Sequence, residues 1–119
     1  MTVNDLFKKV AELLGYSGEN GDLSGLSVIE SRAITAIRQI LSDLGVNKMP
    51  DVFLDTIEIN ADKEETLIYG TAMLLAIGTG DVEKGKFFTE VYNMKRAGVK
   101  SKILKRKNVV PFDDGGANL

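Results

Sequence analysis

The chain predicts an all-α fold: a small bundle of four main helices with an extended C-terminal arm. Two observations carry this. Apolar residues recur at three-and-four spacing in separated blocks, the signature of one helical face, and glycines at 15, 45, 78 and 80 stand where those blocks stop. A third is negative: only one short stretch alternates like a strand, and it finds no evident partner within the chain. With 119 residues and 44% hydrophobic content there is material for one core, not two. We divide it into a helical domain, residues 1–98, and an arm, residues 99–119.

The first helix is read from Val3, Leu6, Phe7, Val10, Leu13 and Leu14, with Asp5, Lys8, Lys9 and Glu12 opposite. Thr2 or Asn4 caps it and Gly15 ends it. From Gly15 to Gly25 the glycine-rich GYSGENGDLSG reads as a flexible linker. It lacks the Lys and preceding strand of a phosphate-binding loop. Glu19, Asn20 and Asp22 supply oxygens, but without the ligand alternation and closing Glu of a calcium loop. The second helix opens on a capping-box pattern, Ser27 with Glu30. Its stripe is Val28, Ile29, Arg32, Ala33, Ala36, Ile37, Ile40, Leu41 and Leu44, and Gly45 stops it. Arg32 is expected to lay its stem over the core edge and reach an acid. Arg38, Gln39, Ser42 and Asp43 fit a wet face.

Pro50 breaks the helical pattern. Residues 52–59, VFLDTIEI, fit a helical turn with Phe53, Leu54 and Ile57 inward, followed by an extended connection. A strand through Ile57 and Ile59 is the alternative if another chain supplies pairing. Asp55, Glu58 and Asp62 cluster in sequence, but acid–base work also needs a concave site and a raised pKa. Asp62, Glu64 and Glu65 are explained by the start of the next helix, whose dipole favours negative charge.

The chain is organised around Thr66 to Arg96. Apolar or small residues fill every position from Leu67 to Ile77, so this helix should run through the middle of the core. Gly78 and Gly80 suit a turn with positive φ, and Asp81 caps the returning helix. That helix carries Phe87, Phe88, Val91, Tyr92 and Met94 on one broad side, with Lys84, Lys86, Glu90 and Asn93 facing water.

Charge is unevenly placed. Residues 1–94 hold 8 Lys or Arg against 15 Asp or Glu, whereas residues 95–112 hold 7 cations and no acid. The cations Lys95, Arg96, Lys100, Lys102, Lys105, Arg106 and Lys107 are therefore candidate contacts to phosphate or to an acidic protein surface. Among them stand the apolar residues Ile103, Leu104, Val109, Val110 and Phe112, candidate anchors on a partner. Fully stretched from Gly98, such an arm spans on the order of 70 Å and can clasp a neighbour by adding a strand. The last residues, DDGGANL, are expected to be disordered.

The chain contains no cysteine and no histidine. That removes disulfides, Cys/His zinc sites and the commonest general base, so an enzyme is not expected, nor any cofactor or catalytic or metal residue. No apolar run approaches the roughly 20 residues that span a bilayer, and a soluble, cytoplasmic product is expected.

The central region also carries a resemblance. Tyr69, Gly70 and Ala72, then Leu74 to Ala76, the turn at Gly80 and Asp81, and Phe88, Tyr92, Asn93, Lys95, Arg96 and Ala97 together resemble head–tail connector proteins of tailed bacteriophages. The likeness covers about the last two thirds of the chain. It implies a structural virion protein, made in the cytoplasm of the bacterial host. Such a protein forms a ring of identical subunits between portal protein and tail or stopper protein, completing the channel for double-stranded DNA after packaging. The alternative is a small helical nucleic-acid-binding protein that uses its basic C-terminal segment in salt-dependent phosphate contacts. Against it stand the acidic body and the lack of aromatic residues interleaved with the cations.

Overall fold

The computed structural model describes the backbone of residues 1–15 and 26–108, and the side chains of residues 1–15 and 29–100. It is an all-α bundle of four helices in chain order: α1 (Val3–Leu14), α2 (Leu26–Asp43), α3 (Ala61–Gly78) and α4 (Val82–Asn108). The Gly-rich linker and residues 109–119 lie outside the described residues.

Helix α1 begins and ends where its sequence dictates. Thr2 accepts from the Asp5 N–H while the Asp5 carboxylate accepts from the Thr2 N–H, a reciprocal capping box. These bonds hold the Asp5 carboxyl below the usual carboxylate range, the Thr2 side chain contributing most. Gly15 takes φ 77°, and its N–H returns to the carbonyls of Ala11 and Glu12. Val3, Leu6, Phe7, Val10 and Leu14 are buried.

Helix α2 starts at Leu26, so the backbone of Ser27 lies within its first turn; its side chain is outside the described residues. The buried face is Ala33, Ala36, Ile37, Ile40, Leu41 and Leu44, and Gly45 takes φ 78° after the helix. Arg32 is exposed, and its guanidinium donates to the Gly78 carbonyl at 3.4 Å, not to an acid. A free carbonyl at the C-terminal end of α3 is as good a destination for a cation as a carboxylate.

The segment between α2 and α3 finds the partner that its sequence did not reveal. A turn closes from the Asp55 N–H to the Val52 carbonyl, and the Asp55 carboxylate accepts from the N–H groups of Asp51 and Val52. Those two bonds keep its carboxyl below the ordinary range. The extended connection that follows pairs with the chain's own N-terminus. Thr56 bridges Thr2 in antiparallel sense, Ile57 N–H donates to Met1 O at 2.8 Å, and Val3 N–H donates to Asp55 O at 3.0 Å. The turn buries Ile57 and half-buries Phe53, whose ring meets Phe7 edge-on at 5.4 Å; Leu54, expected inward, is 84% exposed.

Helix α3 is the central element, packed against each of the other three and most extensively against α4. Asn60 caps it, accepting from the Lys63 N–H at 2.9 Å, and Asp62 and Glu64 occupy the first turn. Leu67, Gly70, Thr71, Ala72, Leu75 and Ala76 are buried. Its last turn reaches the surface: Ile77 is 58% exposed. Gly80, at φ 80°, makes the turn, whereas Gly78 remains helical. Asp81 caps α4 by accepting from the Lys84 N–H at 3.1 Å.

Helix α4 buries a narrower stripe than its aromatic residues suggest. Gly85, Phe88, Tyr92 and Val99 face the core, while Phe87 and Met94 point outward. One face of a helix accommodates positions 88, 92 and 99, and 87 and 94 lie about 100° away on its flank. The helix then runs to Asn108, so residues 99–108 continue α4 where an extended arm was expected. Lys and Arg are good helix formers, and no proline intervenes before Pro111. Val99 shares a small cleft with Asp62 and Thr66 in the first turn of α3. The backbone from residue 100 onward therefore extends past the start of α3, by roughly 13 Å at the rise of an α-helix.

Candidate functional site

The seven candidate cations divide. Lys95 pairs with Glu65 of α3, and its ammonium lies 5.0 Å from the Tyr69 ring centroid, a cation–π contact. Arg96 grips Asp43 at the end of α2 through two bonds, Nε to Oδ2 at 2.5 Å and Nη2 to Oδ1 at 3.1 Å. Both serve the bundle's own helix contacts. Lys100 is exposed, near enough to Asp43 to favour its charged form. Lys102, Ile103, Leu104, Lys105, Arg106 and Lys107 ride on the backbone of α4, with side chains outside the described residues, as are Val109, Val110 and Phe112 altogether.

Around Asp43 is a polar cluster that joins three side chains. The buried Tyr92 presents its ring to the core, and its hydroxyl donates to Asp43 Oδ2 at 2.5 Å. The Arg96 guanidinium holds the Asp43 carboxyl below the usual range; partial burial opposes this and the Tyr92 hydroxyl adds to it. Burial raises the Tyr92 phenol well above its ordinary value, and its bond to the carboxylate raises it further. The two groups are thus pushed in opposite directions, both away from neutrality. Neither exchanges a proton near pH 7, and the cluster works as a clamp joining α2 to α4. Two more cations act as clamps between helices. Lys84 of α4 donates to the Leu14 carbonyl at the end of α1 at 2.6 Å, and Arg32 does the same for α3.

The acids Asp55, Glu58 and Asp62 do not form a site. Asp55 closes its own turn, Glu58 lies 3.9 Å from Lys48, and the Asp62 carbonyl accepts from the Thr66 hydroxyl. Among the described residues no group of three acidic side chains is arranged to hold a metal ion, and no helix is long and apolar enough to cross a membrane.

One apolar surface feature lies at the α3–α4 turn. A cleft of ≈ 380 Å³ opens there between Ile77, Val82 and Gly85, rimmed by Asp81, Lys86 and Glu90. Val82 is 78% exposed, and Phe87 stands exposed one helical turn from Glu83. A second groove, ≈ 300 Å³, runs between α2 and α3 along Arg32, Thr35, Gln39 and Leu74. No protein-family model matches the chain, and neither a curated protein nor a solved structure shows significant similarity to it. Its surface therefore has to be read from its own chemistry.

Sequence reasoning missed both the clamp and the cleft. Tyr92 and Arg96, four residues apart, share a helix side, which signals a need for a carboxylate there. Nothing local singles out Asp43, 49 residues away from Tyr92. For the cleft, the signal was Val82 directly after the capping Asp81, at a position too early in α4 to reach the core.

Proposed function

We propose that the chain is a structural assembly subunit of the head–tail connector kind, one of several identical copies forming a ring between portal protein and tail in a tailed bacteriophage. The observation that carries this reading is the outward placement of Ile77 and Val82 around one cleft at the tip of the α3–α4 hairpin, with Phe87 also exposed on α4. Large apolar side chains grouped at a surface are the usual mark of a protein–protein contact. The resemblance of residues 69–97 to connector proteins gives that contact its setting. Helix α4, reaching past the start of α3 with cations along it, provides the part that engages a portal or neighbouring subunit. The DNA passes through such a ring non-specifically.

The nucleic-acid-binding reading is weaker because Lys95 and Arg96 are engaged with Glu65 and Asp43. The test is genetic. A virus or prophage carrying this gene and deleted for it should accumulate DNA-filled heads without tails, and complementation should restore infectious particles. Portal, terminase and capsid genes are expected on either side. Normal particle yield after deletion overturns the proposal. Low-micromolar binding of duplex DNA by the purified chain at moderate salt would promote the rival instead.

A further inference from the structure

We infer that the cleft at the α3–α4 turn receives Val109, Val110 and Phe112 of a second copy of the chain, joining subunits head to tail. This deepens the assembly reading and rests on it only for the existence of contacts between copies.

The cleft is built for an apolar side chain. Ile77 and Val82, both more than half exposed, line it together with Gly85. A Cβ at position 85 would come within 3.3 Å of Ile77 Cγ1, so a larger residue there would crowd the Ile77 side chain that lines the cleft. At ≈ 380 Å³ it sits at the small end of ligand pockets, enough for one or two apolar anchors of a peptide.

The chain's own anchors cannot fill it. Glu90 is the lining residue nearest the C-terminal end of α4, and about 18 residues of helix separate it from Asn108, roughly 27 Å of rise. Phe112 follows Asn108 by four residues, which span at most ~14 Å even if the backbone doubled straight back. The shortfall is about half the distance. Only another copy can bring these residues to the cleft.

Charge agrees with that occupant. Lys105, Arg106 and Lys107 immediately precede the anchors. Asp81 lines the cleft but is already paired with Lys84, which also donates to the Leu14 carbonyl; that leaves Glu90 on the lining and the exposed Glu83 nearby against the single cation Lys86. Each chain thus carries a receptor at one end of α4 and a ligand at the other. Such a contact closes into a ring when its rotation allows and continues as a filament when it does not.

The absence of native cysteine makes the test clean. The full chain carrying both Lys86→Cys and Asp113→Cys keeps every proposed anchor and places one thiol at the rim and one beside Phe112. Mild oxidation at tens of micromolar should give a ladder of covalent oligomers on a non-reducing gel. Either single variant should stop at a dimer. Adding Val82→Asp, at an exposed position, should abolish the ladder while the far-UV circular dichroism stays unchanged. An internal disulfide confined to monomer overturns the inference, as does a double variant that yields no more than the single ones. A ladder from a chain whose deletion leaves tail attachment normal would support the contact and overturn the phage reading. Loss of attachment on deletion, without a ladder, would do the reverse.

Discussion

Replacing Gly70 by alanine probes a tight contact between α3 and the side chains of α2 and α4. In the middle of α3, alanine alone should stabilise by about 1 kcal/mol, because glycine is a poor helix former. The added Cβ, however, would lie 2.7 Å from Tyr92 Cε1 and 2.9 Å from Ile40 Cδ1. Ile40 can turn its terminal methyl aside. Tyr92 cannot yield so easily, since its ring is buried and its hydroxyl is tied to Asp43. Overpacking costs about 1–3 kcal/mol, and stretching a hydrogen bond to a charged acceptor forfeits part of another 1.5–3 kcal/mol, roughly. The net is a loss of about 2 kcal/mol, or a melting point lower by roughly 8 °C in a domain of this size. Urea denaturation followed by circular dichroism measures it. Repeating the change in a Tyr92→Phe background should shrink the penalty by at least about 0.5 kcal/mol, because the untethered ring can slide. If Gly70→Ala equals or exceeds the parent in stability, the packing of α2, α3 and α4 around this glycine is not as described.

Other substitutions test single features. Thr71 is fully buried with an unpartnered hydroxyl, so Thr71→Val, equal in shape and branching, should stabilise the protein by about 1 kcal/mol in the same denaturation assay. Thr2→Ala removes the capping box and should cost about 1 kcal/mol, read most directly as faster hydrogen exchange in the first turn of α1. Asp43→Asn should weaken the α2–α4 clamp by about 1 kcal/mol at neutral pH, a figure held down by the partial exposure of the pair. The Asp43 carboxyl binds its proton less readily folded than unfolded. Its contribution is therefore whole above about pH 4 and lost as pH falls through the lower folded value, so the difference between parent and variant should vanish in strong acid.

How much of this could be read from the sequence depended on whether the cause was local. The α1 stripe, its Thr2 cap and its Gly15 terminator are all settled within a dozen residues, and so is the Asp81 cap of α4. The burial of α3 followed from apolar content alone. Phe87 and Met94 were misplaced because a helix with aromatic residues at 87, 88 and 92 admits a broad or a narrow face. Only the position of α3 selects the narrow one. Pairing of residues 53–57 with the N-terminus, and of Asp43 with Tyr92 and Arg96, joins residues some 50 apart, and no local pattern encodes which partner arrives. The arm was read as extended because apolar residues are scattered among its cations. The intrinsic helix preference of Lys and Arg continues α4 through residue 108 instead.

On the proposed reading this bundle acts only in company. Native mass spectrometry of the purified chain mixed with the portal protein of the same genome tests that most directly. It should show the portal ring gaining whole subunits of 13.0 kDa, with the gain lost when residues 109–119 are removed and the helical content kept. A portal ring whose mass stays unchanged at tens of micromolar of the chain would contradict it.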